Sequence, residues 1–159
     1  KQYSKSYSNF DIVSMSALVF VFTGNMLREF SKRLKEVEYS SNQWICRAGE
    51  DADDFYLLKE GKIGIYIPDE THGEKFLCFQ QPICHFGESA FNAFEDEVPI
   101  RTASIMALED SKVLVLQEKD RLVFMRLFGL EPEDMADMLQ LGITELLRQV
   151  PFLTNINDR

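Results

Sequence analysis

Between residues 37 and 80 the apolar residues come in five short runs: VEYS, QWICR, DFYLLKE, KIGIYI and KFLCFQ. Each is rich in aromatic or β-branched side chains, and turn signals recur at about eight to twelve residues, a spacing that marks antiparallel β packing. RTASIMAL (101–108) and KVLVLQ (112–117) continue the pattern around the acidic turn Glu109-Asp110. RAGEDADD supplies a glycine-containing loop, PDETHGE (68–74) another, and Glu60-Gly61 between FYLLK and KIGIYI suits a tight hairpin turn. The fold expected from these runs is a small antiparallel β-roll or jelly-roll barrel.

Helical periodicity flanks the roll. NMLREFSKRLKEV (25–37) sets Met26, Leu27, Phe30, Leu34 and Val37 on one apolar stripe, with Asn25 as its N-cap behind Gly24. The preceding DIVSMSALVFVF reads as helix or as buried strand, and periodicity decides for neither. KQYSKSYSN (1–9) is polar and expected to fray. After the roll, KDRLVFMRLF (119–128) ends at Gly129, its two arginines expected on a solvated face. Pro132 stands where a first-turn proline is tolerated, and the helix it opens carries Met135, Met138, Leu139, Gly142, Leu146 and Val150 along one side. Acids in its first turn match the helix dipole. The class is α+β, in three parts: an N-terminal extension (1–24), the roll with its flanking helices (25–128), and a C-terminal lid or connector helix (129–159).

Composition narrows the function. Thirteen phenylalanines in 159 residues supply a globular core. The net charge of −9 opposes both a nucleic-acid groove and an anionic membrane surface. A small anion needs only local positive potential. The run ALVFVF is far shorter than the ~20 residues of a membrane-spanning helix, and no basic region with a cleavage site precedes it. Cys46, Cys78 and Cys84 give no even disulfide framework and read as buried free thiols of a reducing, cytoplasmic compartment. Cys84-His85 beside Cys78 lacks a second ligand pair at zinc spacing, so no metal is expected. Ser89 sits in G-E-S-A rather than a G-x-S-x-G elbow, and no nucleophile–base pair or P-loop is present. The fragment does not read as an enzyme. Starting at Lys1 and stopping at Arg159, it reads as an excised module.

The informative stretch is HFGESAFNAFEDEVPIRTAS (85–104). Phe86-Gly87-Glu88 leads from strand residues into a short helical segment. N–H groups at such a start suit an anion, and glycine admits close approach. A strand beginning at Arg101 can return its guanidinium to the same place, offering charge-assisted bonds of ~1.5–3 kcal/mol each. Glu88 would repel a bare phosphate but suits a ligand that also presents hydroxyls. Taken alone, Arg101 reads as a structural partner of Asp96, Glu97 or Glu88; in this context it reads as a ligand residue. His85 is expected to be a packed, hydrogen-bonded ring, and His72 a solvated one.

AGEDADDFYLLKEGKIGIY, FGESA (86–90) and RTAS (101–104) together resemble the eukaryotic cyclic nucleotide-binding domain, over residues ~25 to 150. The resemblance implies that the segment after Phe-Gly-Glu is a phosphate-binding cassette. In that family the glutamate takes the ribose 2′-hydroxyl, the arginine takes the cyclic phosphate and backbone N–H groups complete the cradle. These roles fall on Glu88, on Arg101, and on Gly87, Ser89 and Ala90. Thr102 follows the arginine, where cGMP-dependent protein kinases carry threonine or serine and cAMP-dependent kinase regulatory subunits carry alanine. The implied ligand is cGMP, with cAMP the alternative. The family's C-terminal helix covers the base, which makes Met135, Met138 and Leu139 candidates. ITELLRQVPFLTNIND resembles the join between tandem domains of these kinases, implying a neighbouring binding domain and a kinase domain as partners. Between Glu88 and Arg101 the spacing is about four residues longer than in compact cassettes, and the excess is acidic: Glu95, Asp96, Glu97. A module that no longer binds nucleotide, or a channel regulatory domain, are the alternatives.

Overall fold

The computed structural model describes residues 7–71, 73–91 and 98–149. Helix α1 (Asn9–Ser14) is followed by a 3-10 turn (Ala17–Phe20) and helix α2 (Gly24–Lys32). Eight strands follow: β1 (Lys35–Tyr39), β2 (Trp44–Cys46), β3 (Phe55–Glu60), β4 (Ile63–Asp69), β5 (Gly73–Gln80), β6 (Cys84–Phe86), β7 (Ser104–Ala107) and β8 (Ser111–Leu116). A second 3-10 turn (Glu88–Phe91) lies between β6 and β7, and helices α3 (Glu118–Leu127) and α4 (Pro132–Arg148) end the described chain.

The strands form two four-stranded antiparallel sheets, ordered β1-β8-β3-β6 and β2-β7-β4-β5. The architecture is the expected α+β roll with flanking helices; it consists of two sheets, not a closed barrel. Why FYLLKE lacks polar alternation is visible in the cores. Phe55 and Leu57 of β3, with Leu114 and Leu116 of β8, face the helices, where they join Phe30, Phe124 and Met135. Their neighbours Tyr56, Leu58, Val113 and Val115 face the opposite sheet, with Ile63, Phe86 and Ile105. A period-two strand covered on both sides is apolar throughout.

Phenylalanine rings tie helices to sheet. Phe30 lies 5.2 Å from Phe124 and 5.4 Å from Phe22, and Phe55 lies 5.3 Å from Phe91. Removing one such ring costs ~3–5 kcal/mol. At the other end of the helical layer, a Cβ on Gly142 of α4 would stand 2.8 Å from the Ala17 carbonyl oxygen. Only glycine lets the helix seat so closely on the first 3-10 turn.

Several local expectations are corrected. DIVSMSALVFVF, left open between helix and strand, forms the rest of α1 and the first 3-10 turn, and Ser8 caps α1 in a reciprocal box with Asp11, so order begins inside the segment expected to fray. Helix α2 starts two residues earlier than Asn25 implies: the Thr23 hydroxyl accepts from the Met26 N–H. The helix stops at Lys32, and Val37 belongs to β1. Glu60-Gly61 is not a hairpin turn, because β3 and β4 belong to different sheets; the hairpin is β4–β5, closed at Asp69 and Gly73. Strand β7 begins at Ser104, leaving Arg101 on the loop before it. Cys78 is exposed on β5, while Cys46 is buried. His72 and Val150 lie outside the described residues.

Candidate functional site

Strand β6 pairs with β3 in the register Tyr56↔Phe86 and Leu57↔His85, which delivers Gly87 to the edge of the roll. The Tyr56 and Phe86 rings stack at 4.8 Å. Gly87 has φ 84°, and a Cβ there would meet Tyr56 Cδ2 at 2.8 Å, Arg101 Nη1 at 2.9 Å and the Asp54 carbonyl at 3.1 Å. The left-handed backbone and the crowding both demand glycine. Glu88 then opens the second 3-10 turn, with Ser89 half-buried behind it. The Ala90 N–H, expected in the anion cradle, here donates to the Gly87 carbonyl at 3.1 Å. Phe91 is 1% exposed beneath Phe55 and fastens the turn to the helix-side core.

Arg101 reaches the same place from a loop held by the GEDA segment. Its N–H donates to the Glu50 carbonyl at 2.8 Å, and its own carbonyl accepts from the Gly49 N–H at 2.9 Å. The side chain is 5% exposed. Nη1 donates to the Gly87 carbonyl at 3.1 Å, Nη2 donates to the Asp54 carbonyl, and the guanidinium carbon lies 5.2 Å from the Tyr56 ring centroid. The structure brings Gly87 and Arg101 together through backbone carbonyls. Of the carboxylates expected as structural partners, Asp96 and Glu97 lie, like Glu95, outside the described residues. Glu88 is engaged elsewhere: its Oε2 is 2.6 Å from His85 Nδ1. Burial raises the Asp54 carboxyl above its ordinary range, with Arg101 opposing the shift.

A cavity of about 280 Å³ adjoins Glu88, walled by Ile65 of β4, Gln80 of β5, Ile83, and Ile143 and Leu146 of α4. An apolar slot with a few polar groups at one end is the usual form of a small-molecule site. A second hollow, shared by Glu88, Leu139, Gln140 and Ile143, continues along α4. Among the expected base-covering residues, Met135 is fully buried in the helix-side core and Met138 packs against that core. Leu139 is 3% exposed and edges the second hollow, not the first. Ile143 and Leu146, one and two turns further on, form the wall of the first. Thr102 is exposed on the bend after Arg101.

Arg121 overturns the expectation of a solvated face on α3. It is 5% exposed, its Nη2 donates to the Asp53 carbonyl at 3.4 Å, and its guanidinium lies 5.7 Å from the Phe91 ring centroid. Burial lowers its pKa, partly offset by Glu118 and Asp53. The signal was present in the sequence: Arg121 stands three and four residues before Phe124 and Met125, on the buried stripe. Arg126 is exposed, as expected.

Comparison with known proteins accords with this geometry. The family model of the cyclic nucleotide-binding domain matches residues 36–127, more than half of the chain. Over 113 residues, 70% of its length, the chain is 29% identical to human cyclic nucleotide-gated channel beta-1 and covers 9% of that protein. The chain thus spans less than a tenth of the length of the curated relatives it matches. Among solved structures, the catabolite activator protein of Thermus thermophilus is 22% identical with TM-score 0.64, covering 89% of this chain and 63% of that one. The regulatory subunit of a cAMP-independent protein kinase A from Trypanosoma brucei is 15% identical with TM-score 0.65, covering 94% of this chain and 48% of that one. At these identities the structural likeness speaks for the fold.

Proposed function

The chain belongs to the cyclic nucleotide-binding domain family, and from that premise we propose that it is the allosteric sensor of a larger regulatory protein, with a purine cyclic nucleotide as its ligand. The observation that carries the reading is the buried Arg101 guanidinium, aimed at the Gly87 carbonyl where the cassette turns. An arginine kept from water and held by two neutral carbonyls retains its whole charge for an incoming phosphate. Glu88, at the mouth of the cavity, accepts the ribose 2′-hydroxyl. The base lies along Ile65 and Ile83 under Ile143 and Leu146 of α4.

Thr102 favours cGMP over cAMP in this reading, its hydroxyl meeting the guanine amino group. Ligand binding draws the cassette inward and brings the helices after residue 118 against the roll, with Gly129, at φ 62°, as the hinge. Reversing a 1:99 population of open and closed forms requires ~5.5 kcal/mol of differential affinity. The join after α4 makes a cytoplasmic cyclic nucleotide-dependent protein kinase the effector, with a second binding domain and the kinase domain as neighbours. The channel relatives make an ion-channel effector the alternative. No helix among the described residues is long and apolar enough to cross a membrane.

A nucleotide-independent scaffold is the second reading, favoured because Gly87 and Asp54 already occupy both Nη atoms of Arg101. Titration of two variants tests the proposal. Arg101→Lys keeps the charge but loses the fork, and is expected to weaken cyclic nucleotide binding by about tenfold or more, the loss of one charge-assisted bond. Arg101→Ala is expected to remove tight binding, with the circular dichroism spectrum retained. Wild-type affinity in either variant contradicts the assignment.

A further inference from the structure

We propose that His85 is a positioning residue of the ribose end of the site, setting the discrimination between ribose and 2′-deoxyribose by fixing the Glu88 carboxylate. The inference rests on the reading above, in which Glu88 accepts the 2′-hydroxyl. His85 sits on β6, opposite Leu57, with its side chain 3% exposed and its ring 5.4 Å from that of Phe55. Nδ1 lies 2.6 Å from Glu88 Oε2. An ionised carboxylate only accepts, so Nδ1 carries the hydrogen and donates it. In the neutral ring Nε2 is then an acceptor, and it is buried without a partner among the described residues.

That orphan nitrogen decides between packing and positioning. A phenyl ring would fill the same space against Phe55 and bury no unsatisfied atom, so apolar packing alone disfavours histidine here. What histidine adds is the Nδ1–H bond to Glu88. Glu88 needs such a bond: its side chain is 42% exposed, at the first residue of a four-residue turn. Unrestrained, a half-exposed glutamate would spread over several rotamers, and a ligand would bear the entropy of choosing one. With Oε2 held by His85, Oε1 is presented in one place as an acceptor. A fixed acceptor rejects a ligand lacking the matching hydroxyl more strongly than a mobile one.

The test compares the tighter-binding cyclic nucleotide with its 2′-deoxy analogue in wild type, His85→Phe and His85→Asn. Phenylalanine keeps the ring and loses the donor; asparagine returns an N–H near the Nδ1 position. Wild type is expected to prefer the ribose form by about tenfold or more, His85→Phe to lose most of that preference while holding the 2′-deoxy affinity, and His85→Asn to recover part of it. Equal weakening of both ligands in His85→Phe, or an undiminished preference, overturns the positioning role. Wild type that binds neither ligand, or does not discriminate, overturns the ribose assignment of Glu88, and the proposal falls with it. Long-range 1H–15N spectra of the unliganded protein give an independent reading. The Nδ1–H signal of His85, shifted in Glu88→Gln, supports the clamp; an Nε2–H tautomer contradicts it.

Discussion

Side chains at the site owe their properties to burial more than to charge. Burial pushes the Cys84 thiol up to about 12, Glu88 adding to the shift, and also raises the Cys46 thiol and the Tyr56 phenol. Each group therefore has a higher pKa folded than unfolded, so folding retains a proton the unfolded chain releases. That stabilisation is complete below the unfolded thiol value of about 8.5 and is lost as pH rises towards the folded values. The urea midpoint should accordingly hold steady from neutrality to mild alkali and fall through the range above it. A flat midpoint across that range would show the thiols to be solvated. At this scale the convergence of Gly87 and Arg101 was legible in the sequence, because a glycine turn and an arginine just past a run of acids are local signals. Arg121 was not recognised, because an arginine in a polar-looking helix betrays its burial only through its spacing from Phe124 and Met125. His85 was read as packed and bonded; its partner Glu88 lies only three residues on, across the Gly87 turn, and was assigned to a ligand instead.

Elements place these residues by long-range pairing. The β-rich middle and the helical flanks were legible from periodicity; the assignment of strands to sheets was not. Glu60-Gly61 has the composition of a hairpin, yet β3 and β4 part there into different sheets, because β3 finds β8 and β6 instead. Cap chemistry misled in the same way: Asn25 and Thr23 are both good N-caps, and burial of Met26, Leu27 and Phe30 chooses Thr23. Helix α4 shows how an element shapes the cavity. Its seat on the Ala17 carbonyl at Gly142 aligns Ile143 and Leu146 with the cavity wall. Gly142→Val is expected to lift α4 from the 3-10 turn and weaken cyclic nucleotide binding by about tenfold, since overpacking costs ~1–3 kcal/mol. Circular dichroism should show the roll retained. Unchanged affinity with a folded spectrum would separate α4 from the binding site.

For the whole molecule, the proposed closure makes the helices the movable layer and the roll the frame. Phe91 of the second 3-10 turn packs on Phe55, Phe55 on Phe30, and Phe30 on Phe124 of α3, one continuous row of rings from that turn to the helical layer. Close-packed rings pass on displacements because they have few intermediate arrangements. This gives the proposed sensor a physical route from ligand to the helices beyond residue 118. Calorimetric titration of the 159-residue chain with cGMP, then cAMP, at fixed salt measures the proposed cyclic nucleotide binding directly. Micromolar or tighter binding of cGMP, with cAMP about tenfold weaker or more, is the result predicted. Absence of heat from both nucleotides, in a protein whose circular dichroism spectrum is folded, would contradict it and leave the module a scaffold.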